Sequence, residues 1–230
     1  MTLKEQAFRG VKWTTMSSIM VAVVFFVQNI ILARVLSHAD YGLISLLLVI
    51  IGFANIFIDM GINNAIIYKQ DINHSQLSSL YWLSIFSGTV FFIIVFIASP
   101  IIAAFYEKPE MQPYILYISS IFIISSIARQ FRILLQKNLD FVTISKIEMI
   151  ASVISFIFCL ILIYLYRNIY AFIAAIILNN IIQSILFFIK GIKIHKPGFI
   201  YKHKEIKDLL AFGRFQLGER SLGYFISQLD

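Results

Sequence analysis

The sequence predicts an all-α integral membrane fold, a six-helix transmembrane lobe plus the start of a seventh helix, and three observations carry that prediction. Hydrophobic residues make up 60% of the chain and charged residues 13%, where soluble domains carry about a quarter charged. Mean hydropathy is +0.86, and apolar character surrounds whole segments instead of following one helical face. Trp13 to Tyr68 then reads as a membrane hairpin, two long apolar runs joined by Arg34-Val35-Leu36-Ser37-His38-Ala39-Asp40-Tyr41-Gly42. As a helix, Trp13 to Ala33 rises about 32 Å, enough for a hydrocarbon core of about 30 Å, and Leu43 to Ile58 returns.

The remaining elements follow in order. Lys4, Arg9 and Lys12 precede the first run as in a signal peptide, but the run is too long and no small-residue cleavage site follows, so it reads as a retained helix. Asp71 to Gln76 offers capping oxygens before a third span from Leu77 to about Ala98, with Tyr81 and Trp82 as interfacial anchors and Pro100 kinking the outer end. Glu107 to Glu110 is a turn. The fourth span starts at Pro113, a residue suited to a first turn, and continues as helix through Arg129, Arg132 and Leu135. Lys137 to Ser145 reads as a polar turn, Ile147 to Tyr166 as the fifth span, and Ile169 to Ile189 as the sixth. Residues 1–189 thus form the lobe, 190–208 a basic linker, and 209–230 the opening of a second lobe.

Lys and Arg alternate strongly between sides. The N-terminus and the even-numbered connections hold fifteen, the odd-numbered ones only Arg34, Lys108 and Arg167, with Arg220 unassigned in the seventh helix. That bias puts the N-terminus and the linker in the cytoplasm. The net charge of +7 is thereby topogenic, with contact to anionic lipid as a further role and little support for nucleic-acid binding. The one cysteine, Cys159, lies in an apolar run, so no disulfide framework or Cys-based metal site is available.

Ala7-Phe8-Arg9-Gly10-Val11-Lys12-Trp13 and Ala211-Phe212-Gly213-Arg214-Phe215-Gln216-Leu217 enter the first and seventh helices with a similar order of small, aromatic and basic residues. So loose a match also arises by chance. Read as a repeat, it makes the chain one of two parallel six-helix halves of a protein about twice as long.

No catalytic constellation is present. His38, His74, His195 and His203 fall in connections without ligand spacing, and Gly213, Gly218 and Gly223 lack the Lys-Ser/Thr of a phosphate loop. No cofactor or metal is implied. What remains is a polar lining: Asn29, Asn55, Asn179, Asn180 and Gln183 lie deep in their spans, where such residues either bond helices together or line a watery path. A single Asn favours the first role; a group on three helices leaves both open. Arg34 and Asp59 fall at opposite ends of the hairpin, so they do not pair. Arg34 is expected to meet Asp40 or a lipid phosphate, and Asp59 the Lys69 or Arg129 side of the bundle. Arg129 and Arg132, at i and i+3, share a face. They serve the positive-inside signal or, as two guanidinium forks, capture a pyrophosphate.

Ala33-Arg34-Val35-Leu36 with Asp40-Tyr41-Gly42, then Phe57-Ile58-Asp59-Met60-Gly61 with Ala65-Ile66-Ile67, resembles the polysaccharide-exporting flippases (Wzx-like) of the multidrug/oligosaccharidyl-lipid/polysaccharide superfamily. Phe105-Tyr106 near Pro109, the stretch Arg132 to Phe141, and Tyr224 to Asp230 match the same group, the last resembling the start of its second lobe. The resemblance implies half of a two-lobe, MATE-like transporter working by alternating access in the bacterial inner membrane. It would be a flippase, not an enzyme, and its cargo an undecaprenyl-pyrophosphate-linked glycan with membrane lipid around it. Other polysaccharide-assembly proteins are candidate partners. Arg34, Arg129 and Arg132 are the few cationic cavity candidates, with Asn29, Asn55, Asn179, Asn180 and Gln183 meeting the sugars and Asp59 a further substrate-binding candidate. A drug or cation antiporter of the same superfamily is the nearest rival, for which Asp59 is thin support. A membrane-integral glycan-processing enzyme lacks the outer loop or His motif it would need, and a lipid-binding scaffold is a further alternative.

Overall fold

A computed structural model of the chain describes residues 3–59, 66, 67, 69 and 71–210, without the side chains of 3, 4, 6, 7 and 53–59. Among them are the helices α1 (Leu3–Val35), α2 (His38–Asp59), α3 (His74–Phe105), α4 (Met111–Lys137), α5 (Phe141–Tyr166) and α6 (Tyr170–Gly191). Five are long and apolar enough to cross a membrane, and His38–Gly52 of α2 forms a shorter apolar stretch. This is a multi-pass, all-α membrane protein. A further helix begins at 203 and is described to 210, so helical structure resumes inside the basic linker. The matches at Ala211 to Leu217 and Tyr224 to Asp230, and the spaced glycines, lie outside the described residues.

Local chemistry sets the helix ends. Asn73 caps α3 through a reciprocal box, its Oδ1 accepting from the Gln76 amide at 2.8 Å while Gln76 Oε1 accepts from the Asn73 amide at 3.3 Å. The helix passes Ala98 and Pro100 and ends only at Phe105. Proline removes the donor that would have reached the Phe96 carbonyl, and Ser99 Oγ donates to that carbonyl at 2.8 Å instead. Asp140 Oδ1 caps α5 by accepting from the Thr143 amide at 3.1 Å. The polar turn expected from Lys137 to Ser145 therefore shrinks to 138–140, with Leu139 in the left-handed region at φ 58° to close it. Glu107 and Arg167, at φ 53° and 49°, close the turns before α4 and α6.

Packing runs side by side from α1 to α5, α6, α4 and α3, with α2 more sparsely against α4 and α3. Two apolar clusters hold the bundle. One gathers Leu32, Leu36, Leu43, Met111, Ile163 and Ile169 toward the end where α1 turns into α2. The other gathers Leu80, Tyr81, Phe131, Leu135, Ile144 and Ile206 at the opposite end. Tyr81, expected as an interfacial anchor, is buried in this second cluster with its ring 5.5 Å from that of Phe131. Gly191 lets α6 approach α4 closely, since a Cβ there would stand 2.2 Å from the Cβ of Phe131.

The segment after α6 is a strap laid along the start of α3. Trp82 Nε1 donates to the Gly198 carbonyl at 2.9 Å and its ring stacks on Phe199 at 5.1 Å. Ser78 Oγ accepts from the Gly198 amide and Ser79 Oγ from the Lys202 amide, both at 3.0 Å. Gln76 Nε2 reaches the Glu205 carbonyl at 3.0 Å. Trp82 thus anchors protein, and the long polar segment is fixed by hydrogen bonds that its lysine content did not suggest.

Candidate functional site

The inward faces of α5 and α6 carry polar residues at helical spacing. Glu148, Ser152 and Ser155 recur at i, i+4 and i+7 on α5, and Asn179, Asn180 and Gln183 fall within little more than one turn of α6. With Ser17, Ser18 and Gln28 of α1 and Leu48 and Ile51 of α2, they line a cleft of about 640 Å3. Most of its wall is apolar, contributed by residues such as Val21, Phe25, Phe172 and Ile176. The amides are ordered by one another: Gln183 Nε2 donates to Asn179 Oδ1 at 2.7 Å, Asn179 Nδ2 to Ser155 Oγ at 3.0 Å, and Ser155 Oγ to the Ala151 carbonyl at 2.7 Å. This chain joins α6 to α5 and holds a row of polar side chains at the cleft.

Asn180 and Gln183 also border a groove of about 190 Å3, whose other walls include Ser125, Arg129, Arg132 and Ser184. The cleft and the groove are therefore neighbours that share these two amides. Arg132 is engaged by Glu148, Nη2 to Oε1 at 2.8 Å, and Arg129 Nη2 lies 3.5 Å from Ser125 Oγ one turn back. Glu148 itself lines the cleft. A third pocket, about 410 Å3, lies at the other end of the lobe, lined by Arg34, Arg167 and Tyr164 among others.

Of the residues expected from the sequence, Arg129, Arg132, Asn179, Asn180 and Gln183 converge. Asn29 does not join them. It donates to the Phe25 carbonyl at 2.8 Å and accepts from Tyr41 Oη at 3.3 Å, bonding α1 to α2. Arg34 stands at the opposite end and does not meet Asp40, whose carboxylate accepts from Ser37 Oγ at 2.8 Å. The pairing fails because Asp40 belongs to the turn that starts α2, where its own neighbour reaches it first. The side chains of Asn55 and Asp59 lie outside the described residues. Sequence reasoning passed over Glu148, Ser152 and Ser155, although their i, i+4, i+7 spacing in an apolar helix was a usable signal. Among the described residues no three His, Cys, Asp or Glu converge as a metal site would need. Cys159 is buried and accepts from Gln28 Nε2 at 3.4 Å.

A membrane-spanning helical lobe with a mostly apolar, amide-lined cleft beside an arginine groove defines the class, a multi-pass membrane protein. The chain belongs to the polysaccharide biosynthesis protein family, whose sequence profile matches residues 31–230. It is 31% identical over 229 residues to the teichuronic acid biosynthesis protein TuaB of Bacillus subtilis, covering all of this chain and 47% of that protein. It is 30% identical over 230 residues to the lipopolysaccharide biosynthesis protein WzxC of Escherichia coli, again covering 100% and 47%. The amylovoran biosynthesis protein AmsL of Erwinia amylovora is 26% identical over 72% of this chain and 43% of its own. The chain spans about half the length of the curated relatives it matches. No solved structure matches it.

Proposed function

We propose that this chain is the first lobe of a transporter that moves a lipid-linked oligosaccharide or polysaccharide across the bacterial cytoplasmic membrane by alternating access. The observation that carries the reading is that the 640 Å3 cleft and the arginine groove lie side by side, with Asn180 and Gln183 lining both. A lipid-linked glycan has three parts with different demands. Its pyrophosphate calls for planar, permanently charged donors, which Arg129 and Arg132 supply. Its sugars call for donors and acceptors together, which Asn179, Asn180, Gln183 and the serines supply. Its hydrocarbon tail needs only the bilayer.

Transport would proceed by loading the head group from the side of the strap, taken as cytoplasmic from the bias in Lys and Arg, and by rocking against a second lobe. Glu148 pairs with Arg132, so loading a phosphate on that guanidinium would exchange it for the carboxylate. The names of TuaB, a teichuronic acid biosynthesis protein, and WzxC, a lipopolysaccharide biosynthesis protein, support a role in surface polysaccharide assembly. The cargo stays bonded as it arrived, so the protein acts as a flippase and not as an enzyme.

The test is mass spectrometry of undecaprenyl-linked glycans with leaflet-specific labelling, in cells with and without the full-length gene. A completed glycan accumulating on the cytoplasmic leaflet of the deletion strain supports the flippase. An unchanged pool with altered drug sensitivity overturns it and favours an antiporter.

A further inference from the structure

We propose that Arg34 and Arg167 form a second anion site, for a lipid-borne phosphate group, at the end of the lobe opposite Arg129 and Arg132. Arg34 sits in the last turn of α1 and Arg167 is the C-cap of α5. α1 and α5 pack together, and the two side chains line one pocket of about 410 Å3 with Tyr164 and the apolar Ile31, Val35, Leu160 and Ile163. The opposite placement follows from chain direction, since Arg132 pairs with Glu148 near the start of α5 while Arg167 closes its end.

Three observations distinguish this pair from ordinary surface arginines. Odd-numbered connections carry only three Lys or Arg, and two of them converge here. Neither guanidinium has an ion pair or hydrogen bond among the described residues, whereas Arg132 is paired. Arg167 adopts a left-handed backbone at φ 49°, a C-terminal position where glycine or asparagine is usual and a bulkier side chain is strained. Helix dipoles account for part of the arrangement but not all of it. Two C-termini offer about half a negative charge each, so two full positive charges leave an excess of about one.

Two forks without a carboxylate, beside a phenol and an apolar wall at a helix end, suit a phosphate oxygen cluster with hydrocarbon attached. Two sources share that chemistry: the head group of an anionic phospholipid, and the pyrophosphate of the carrier lipid. Only the second rests on the proposed function. In that case the pair receives the head group at the far side after it leaves Arg129 and Arg132.

The experiment is native mass spectrometry of the full-length protein in detergent with either phosphatidylglycerol or undecaprenyl pyrophosphate added. R34Q/R167Q is expected to lower retention of at least one of the two by about fivefold, the equivalent of about 1 kcal/mol. R34K/R167K is expected to lose less than R34Q/R167Q, since lysine still holds phosphate as a point charge but without the fork. Loss limited to undecaprenyl pyrophosphate assigns the site to carrier lipid, and loss limited to phosphatidylglycerol to a head group. Unchanged retention of both overturns the site. If the double variant does not accumulate as folded protein, R34Q and R167Q are measured singly, and no loss in either overturns it. The phosphatidylglycerol result stands even if the deletion strain shows no stranded glycan, so the two readings fail separately.

Discussion

Arg132 donates from both Nε and Nη2 to a single oxygen of Glu148, at 3.2 and 2.8 Å. The pair ties α4 to α5 where the arginine groove meets the cleft. Its side chains are 45% and 27% accessible, which limits its value to about 1 kcal/mol or less. Its placement makes it more useful as an occupant of the guanidinium than as a strut.

Replacing Arg132 by Ala should therefore cost the fold little, about 1 kcal/mol at most, and reduce glycan export far more. The charge-swapped pair R132E/E148R should recover thermal stability in detergent but not export. Melting followed by fluorescence-detected chromatography, set beside export in a deletion strain, separates the two effects. Export at the wild-type level in R132A would remove Arg132 from the site.

Close helix contact predicts a graded glycine series. Gly191→Ala places a Cβ 2.2 Å from the Phe131 Cβ, and Gly88→Ala places one 2.6 Å from the Phe122 carbonyl oxygen. Neither obstacle is the end of a flexible chain, so each should cost about 1–3 kcal/mol by overpacking. Gly42 meets nothing within 4 Å, and Gly42→Ala should gain up to about 1 kcal/mol from helix propensity. Chemical or thermal unfolding of the three variants checks the order.

The strap predicts a pH dependence. His195 is buried against Ser78, with its ring 4.7 Å from His74, which itself lies 3.0 Å from the Lys196 carbonyl. Burial first, and the neighbouring His74 second, lower the His195 pKa. The docked state thus favours neutral imidazole. Its contribution is complete above the ordinary histidine pKa of about 6.5 and is lost as pH falls through the lowered value. Trp82 fluorescence, reporting contact with Phe199, should change on acidification below about pH 6.5, and His195→Gln should abolish that change. An identical acid response in the variant would exclude His195.

The amide chain predicts a split between stability and transport. Asn179→Leu removes the interhelical bond to Ser155 and the intrahelical one from Gln183, the first worth about 0.6 kcal/mol in a membrane. Export should fall by a larger factor, because Gln183 loses the partner that orients it at the boundary of cleft and groove. Melting and export measured on one preparation decide this, and parallel losses would mark Asn179 as packing only.

Much of the architecture was legible in the chain because a bilayer imposes it. Segments that satisfy their own backbone bonds and present apolar side chains in all directions have only the helix available, so α1, α4, α5 and α6 announce themselves by composition. Helix ends were less legible. A proline normally suggests a stop, yet α3 continues because Ser99 satisfies the Phe96 carbonyl, and the turn before α5 is short because Leu139 adopts φ 58°. Tyr81 looked interfacial by type, and burial against Phe131 depends on helix neighbours that the sequence does not order.

The sequence by itself determined a membrane-spanning helical lobe, the bias of its basic residues, and the deep amides Asn179, Asn180 and Gln183, since hydropathy and helix rise are properties of consecutive residues. Only the tertiary structure decided that Asn180 and Gln183 share a groove with Arg129 and Arg132, that Glu148 pairs with Arg132, that Asn29 bonds α1 to α2, and that Arg34 and Arg167 line one pocket. Each of those is a relation between helices distant in sequence. Which faces meet depends on packing such as Gly191 against Phe131, and no local pattern encodes it.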